Sequence, residues 1–170
     1  MTHAENKVQW CINKAKKEIE EGKKHRGLLE KEPDVEETRK HIEKAEHNLS
    51  AISYFATGGF SDWSMSAVFY SIYQCFLAIT SKFGYESRNQ ECTIALIRHL
   101  KEQNKINLDE RFIGALESNK EQERHETTII EKREFYTYGT STSSETKEME
   151  EAISLCRECL HITRNIVFAK

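Results

Sequence analysis

From Asn48 to Leu100 the chain carries only six charged residues in 53, whereas Met1 to His47 is crowded with Lys, Glu and Arg. At the centre of the quiet region, Trp63 to Ser81 runs 19 residues without a charge, and its apolar side chains fall on nearly every face of a helix. A helix that is apolar all round has to be covered by its neighbours. The remainder of the chain is therefore read as that cover. The run is close to the ~20 residues that a membrane span requires. Ser64, Ser66, Ser71, Gln74, Thr80 and Ser81 dilute it, which marks a buried helix of a globular fold with no membrane role.

A chain of 170 residues suits one domain, 1–170, with a core that needs no staple. With seven Gly and one Pro, helix breakers are scarce; long helices follow and strands are poorly supported. The net charge of −3 excludes a protein that grips nucleic acid by overall basicity, so any RNA contact is confined to a local face. A charged amphipathic pattern starts at once, without an Arg-rich or signal-like leader, and a cytoplasmic location is expected. Five cysteines in such a compartment are expected to be reduced packing residues. Cys156-x-x-Cys159, followed by His161, has metal-like spacing but no second Cys pair near it, and lies in a helical pattern; it too is read as packing. Neither a Gly-rich phosphate loop nor a His-Glu-x-x-His or Gly-x-Ser-x-Gly motif occurs, and no metal or cofactor is expected.

Capping signals divide the chain. Thr2-x-x-Glu5 starts a helix carrying Val8, Ile12, Ala15 and Ile19, which the pattern extends to about Glu30. Pro33 stops it, and Asp34-x-x-Glu37 opens a second helix with Ile42, Ala45, Leu49, Ile52 and Ala56 on one face; the two are expected to form a hairpin. Gly58-Gly59 ends the second, and Ser61 or Asp62 caps the third, which reaches about Phe83 before Gly84. This tight turn makes the second and third helices antiparallel. Shorter helices are expected from Cys92 to Gln103 and after a cap at Asn107, and Ser118–Glu134 reads as a charge-rich loop or helix. Tyr136 to Ser144 reads as a hydroxyl-rich turn, with Thr142 or Ser144 capping a last helix that bears Met149, Ile153, Cys156, Leu160 and Val167.

In their order, several segments resemble the HEPN family (higher eukaryotes and prokaryotes nucleotide-binding domain). They are Lys44-Ala-Glu-His-Asn-Leu49, the turn Gly58-Gly-Phe60, the helix Asp62 to Ile79 with Phe69-Tyr70-Ser71 in place of its aromatic pair and Ala, the turn Lys82-Phe-Gly-Tyr85, and Lys132-Arg-Glu-Phe-Tyr136-Thr-Tyr138-Gly139. The likeness covers about 40–168, leaving 1–33 as an added N-terminal helix. It implies an all-α, up-and-down bundle of four to five long helices plus short ones, forming a homodimer or pairing with a nucleotidyltransferase-fold partner in toxin–antitoxin, RNA-processing or defence settings. Catalytic members are metal-independent ribonucleases with Arg-x(4 to 6)-His. Here Arg88-Asn89 opens such a motif, but Thr93, Ile94 and Ala95 stand where His is required; Arg164-Asn165 reaches Ala169 and Lys170 without one. The leading expectation is thus an interaction or accessory module rather than an enzyme.

Two alternatives rest on particular residues. Cleaving RNA without a metal needs a base and a cation, and His125, Arg124 and Glu126 offer base, cation and orienting carboxylate. Neighbouring helical side chains diverge by about 100°, so these three converge only in a loop or across a dimer; the bland reading is a solvated charge cluster. For nucleotide or RNA binding, Arg88 and Asn89 sit at a helix start, and Arg133, Tyr136 and Tyr138 combine a cation with stackable rings. Ordinary capping by Asn89 and closure of the bundle's end by the tyrosines are the competing accounts.

Overall fold

The computed structural model describes residues 1–117 and 127–169. Helix α1 (His3–Glu20) begins with the expected capping box: the Glu5 N–H donates to Thr2 Oγ1 at 3.1 Å and the Thr2 N–H to Glu5 Oε2 at 3.3 Å. It stops well before Glu30. Gly22 adopts φ of 71°, its N–H bonds Ile19 O, and the Lys23 N–H bonds Glu18 O, a Schellman arrangement that closes the last turn. The chain then extends into strand β1 (Leu28–Glu30), which the sequence did not reveal because three residues are too few to show alternation.

Helix α2 (Val35–Thr57) is capped by Asp34, whose Oδ1 accepts the Glu37 N–H at 2.8 Å, and α3 (Ser61–Lys82) follows after the Gly58-Gly59 turn. Strand β2 (Tyr85–Ser87) pairs antiparallel with β1, Leu28 opposite Ser87 and Glu30 opposite Tyr85. Then come α4 (Gln90–Glu102), α5 (Glu110–Ala115), α6 (Ile129–Tyr138) and α7 (Thr146–Phe168). The described residues thus form an all-α bundle with one short ribbon at its end. Among them no helix is long and apolar enough to cross a membrane.

As expected, α3 is the buried axis: Met65, Phe69, Ile72, Phe76 and Ile79 are each at most 2 % exposed. Helix α2 packs against one side, where three α3 hydroxyls donate to α2-side carbonyls: Ser64 Oγ to Ile52 O, Ser71 Oγ to Ala45 O and Ser81 Oγ to Asp34 O, at 3.0, 3.0 and 3.1 Å. Small residues at the contact, Ala45, Ser64 and Ser71, let the backbones approach this closely. Helix α7 packs on α3 as well, close enough to α2 for Arg164 to pair with Glu46, and brings Cys156 and Cys159 to the core beside Cys75. These three thiols are buried among core side chains, and burial pushes the Cys156 thiol up to about 12. No cluster of potential metal ligands occurs among the described residues.

Several expectations need correction. No hairpin joins α1 to α2. Instead α1 lies antiparallel along α4, with Thr2 Oγ1 donating to Glu102 Oε2 at 2.6 Å near one end and a disulfide between Cys11 and Cys92 further along. All five cysteines were expected to be reduced, and this pair is not; 81 positions apart, the two meet only because α4 folds back beneath α1. Ser61 does not cap α3 and Ser144 does not cap α7, because the two serve each other: the Ser144 N–H donates to Ser61 Oγ at 2.9 Å and Ser144 Oγ to Ser61 O at 3.2 Å. The cap of α5 is Asp109 rather than Asn107. A Thr128/Glu131 capping box starts α6 and carries the helix through Tyr136 and Tyr138, so the hydroxyl-rich turn begins only at Gly139.

Candidate functional site

Among the described residues, one side of α3 is only partly covered. Trp63, Ser66, Tyr70, Tyr73 and Leu77 recur at three- and four-residue steps, which aligns them along a single face. Trp63 is 54 % and Tyr70 46 % exposed, and the other three are partly buried. The stripe is held from both flanks. From α6, the Arg133 guanidinium lies 4.3 Å from the Phe69 ring and 6.0 Å from that of Tyr70, and Phe69 packs edge-on to Tyr70. From α4, Thr93 Oγ1 is 3.2 Å from the Tyr73 hydroxyl. Burial raises the pKa of that phenol, so it stays neutral at physiological pH. On the α2 side, His41 Nδ1 meets Gln74 Oε1 at 2.7 Å.

At its lower end the stripe opens into a cavity of about 260 Å³ between α2, α3 and the ribbon, lined among others by Lys31, His41, Leu77, Tyr85, Glu86 and Arg88. Its electrostatic centre is Glu86. His25 Nε2 approaches Glu86 Oε1 at 2.9 Å, Lys31 Nζ approaches Oε2 at 3.4 Å, and Arg88 Nε donates to Oε1 at 2.9 Å. His25 is 5 % exposed, and its Nδ1 accepts the Gly27 N–H at 3.4 Å, which leaves Nε2–H as the donor. The His25 bond is the largest influence holding the Glu86 carboxyl below its ordinary range; burial opposes it, and Lys31 and Arg88 reinforce it. A carboxyl whose pKa is lowered by folding adds stability above its unfolded pKa and loses it as pH falls through the folded value. Because Glu86, Lys31 and Arg88 are partly exposed, and Gln keeps an oxygen that can accept from the buried His25, Glu86→Gln is expected to cost only about 1 kcal/mol at neutral pH. Urea unfolding at several pH values should show the gap to wild type narrowing below about pH 4.

The residues singled out from sequence do not converge on one point. Arg88 lines the ribbon cavity, already paired with Glu86. Asn89 is an ordinary cap, its Oδ1 accepting the Cys92 N–H at 3.0 Å. Arg133 sits on the Phe69 and Tyr70 rings, Tyr136 donates its hydroxyl to Glu148 Oε2 at 3.2 Å, and Tyr138 stands 83 % exposed at the end of α6. Arg124, His125 and Glu126 lie outside the described residues. Thr93, Ile94 and Ala95, where a motif opened by Arg88 would place its His, are all buried. Arg157 and His161 lie one turn apart on the exposed face of α7, in keeping with a surface histidine.

The aromatic stripe was legible in principle, since three- and four-residue steps place Trp63, Tyr70 and Tyr73, rings with a polar edge, on one face of the apolar helix. Nothing in the sequence marks His25 and Glu86 as partners, because only the ribbon brings them together.

The sequence profile of the HEPN domain matches residues 38–166. The chain belongs to the HEPN domain family. No curated protein sequence matches it. The HEPN span opens within α2 and closes within α7, so the stripe on α3 is intrinsic to the HEPN core. Helix α1 and strand β1 precede that span, and the ribbon cavity is built jointly by residues inside it and by Lys31 and Glu37 before it.

Proposed function

We propose that this HEPN protein acts as an interaction module whose contact surface is the aromatic stripe of α3, and that its first partner is a second copy of itself. The carrying observation is the exposure of Trp63 and Tyr70 on a helix otherwise sealed by its neighbours. Trp and Tyr are the residue types that dominate interface energetics, since each buries a large rigid area and keeps a polar edge for the rim. The two tyrosine rings are preorganised here: Phe69 and Arg133 hold Tyr70, and Thr93 holds Tyr73. The buried Thr93, Ile94 and Ala95 favour an accessory role over ribonuclease chemistry, because a side chain at these positions faces the core. The family's association with nucleotidyltransferase-fold proteins in toxin–antitoxin, RNA-processing and defence systems supplies the natural second class of partner.

Light scattering during size exclusion tests the reading. Wild-type protein at micromolar concentration is expected to elute as a dimer. A Trp63→Asp/Tyr70→Asp variant should elute as a monomer with an unchanged helical spectrum. A strictly monomeric wild type, or a dimer indifferent to both substitutions, retires the reading.

A further inference from the structure

The Cys11–Cys92 disulfide ties a helix that precedes the matched span to one inside it. On the α4 side the seat it reinforces is thin, although from the β1 side the Gly27 loop packs closely on the Cys11 and Ala15 backbone. The buried face of α1 consists of Ala4, Val8, Cys11, Ile12 and Ala15, so Val8 and Ile12 alone contribute sizeable apolar side chains. Its polar ties to α4, Thr2 to Glu102 and Lys7 to Glu91, are exposed and contribute little. Beyond α1, the stretch from Glu21 to Arg26 forms no regular structure, and it turns at Gly22. By contrast, α4 is buried without a break from Cys92 to Ile97, and Leu96, one turn from Cys92, is fully buried.

We propose that the Cys11–Cys92 bond is a redox latch that holds α1 over α4, and that its reduction releases α1 about the Gly22 turn and uncovers the apolar Cys92–Leu96 face. The chemistry is thiol–disulfide exchange with a small-molecule dithiol/disulfide couple. A thiolate of the dithiol attacks one sulfur, and the S–S bond breaks. The departing cysteine sulfur takes up a proton while the other forms a mixed disulfide with the reagent. The reagent's second thiolate then displaces the protein sulfur, which is protonated in turn; the dithiol, oxidised by two electrons, leaves as a cyclic disulfide. The reverse exchange closes the latch. The protein's other cysteines do not compete, since Cys75, Cys156 and Cys159 are buried on α3 and α7; burial keeps Cys156 protonated, and the hydrogen bond with Cys75 together with burial does the same for Cys159.

Hydrogen exchange read by mass spectrometry on the full chain tests the latch, with and without dithiothreitol. Under oxidising conditions the intact mass should show one disulfide, and α1 should be protected. Reduction should speed exchange in α1 by about a hundredfold, the scale on which a cross-link constrains an opened chain. Amides of α3 should be unchanged. Cys11→Ser should reproduce the effect without reductant, and Cys75→Ser should leave the latch intact. Three results overturn the inference: no disulfide in the oxidised chain, unchanged protection of α1 on reduction, or equal acceleration in α1 and α3, which would make the bond a staple of the whole fold.

Discussion

Replacing Phe76 with Ala is expected to lower the stability of the fold by about 3–5 kcal/mol. Phe76 is fully buried in the middle of α3, flanked one turn away by Ile72 and, towards the C-terminus, by Ile79 and Thr80. Losing the ring forfeits its transfer free energy, and the cavity cannot collapse, because α2 and α7 are fixed against α3 from two sides. For a chain of this size the midpoint of thermal unfolding should fall by on the order of 10 °C. Far-UV circular dichroism on heating measures it. Phe60→Ala is the matched control: that ring is 58 % exposed at the α2–α3 turn, so its loss should leave the midpoint nearly unchanged. A similar fall for both variants would mean that α3 is not the axis of the core.

The second large effect is expected at Gly27. A Cβ there would lie 2.2 Å from the carbonyl oxygen of Cys11 and 3.1 Å from the Ala15 backbone nitrogen. Both are main-chain atoms of α1, which no side-chain rotation relieves. Gly27→Ala must push the approach to β1 away from α1, at a cost of about 1–3 kcal/mol. Chemical denaturation reads this directly. Gly22→Ala separates the clash from loss of glycine as such, since Gly22 has nothing within 4 Å of a Cβ but adopts φ of 71°. Its cost should come from conformation alone, about 1 kcal/mol. Were Gly27→Ala the milder of the two, the close packing of this loop on α1 would be wrong.

The parts of this fold readable from sequence were those specified locally. Thr2 with Glu5, Asp34 with Glu37 and the Gly58-Gly59 turn each act within a few residues, so their geometry followed from type and spacing. The charge-free run of α3 reported its own burial. Features set by distant contacts did not show. Helix α1 has an amphipathic face that would suit either α2 or α4, and the choice of α4 depends on the ribbon carrying the chain across. Ser61 and Ser144 were credible caps until the fold set them side by side. At the candidate site, Arg88 and Asn89 fell near the ribbon cavity, but Trp63 and Tyr70 were absorbed into the core reading. Periodicity shows which residues share a face, not which face remains open.

The serine hydroxyls of α3 carry a consequence for how uniquely this chain folds. A helix greasy on almost every side offers many near-equivalent ways to slide against a neighbour, because apolar contacts are forgiving of position. Ser64, Ser71 and Ser81 remove that freedom. Shifting α2 by a single residue would strand three hydroxyls in a dry interior, each at about 1–3 kcal/mol. The correct register is therefore selected by polar atoms embedded in an oily surface, and replacing all three serines with alanine should yield a chain that still collapses but no longer settles on one alignment.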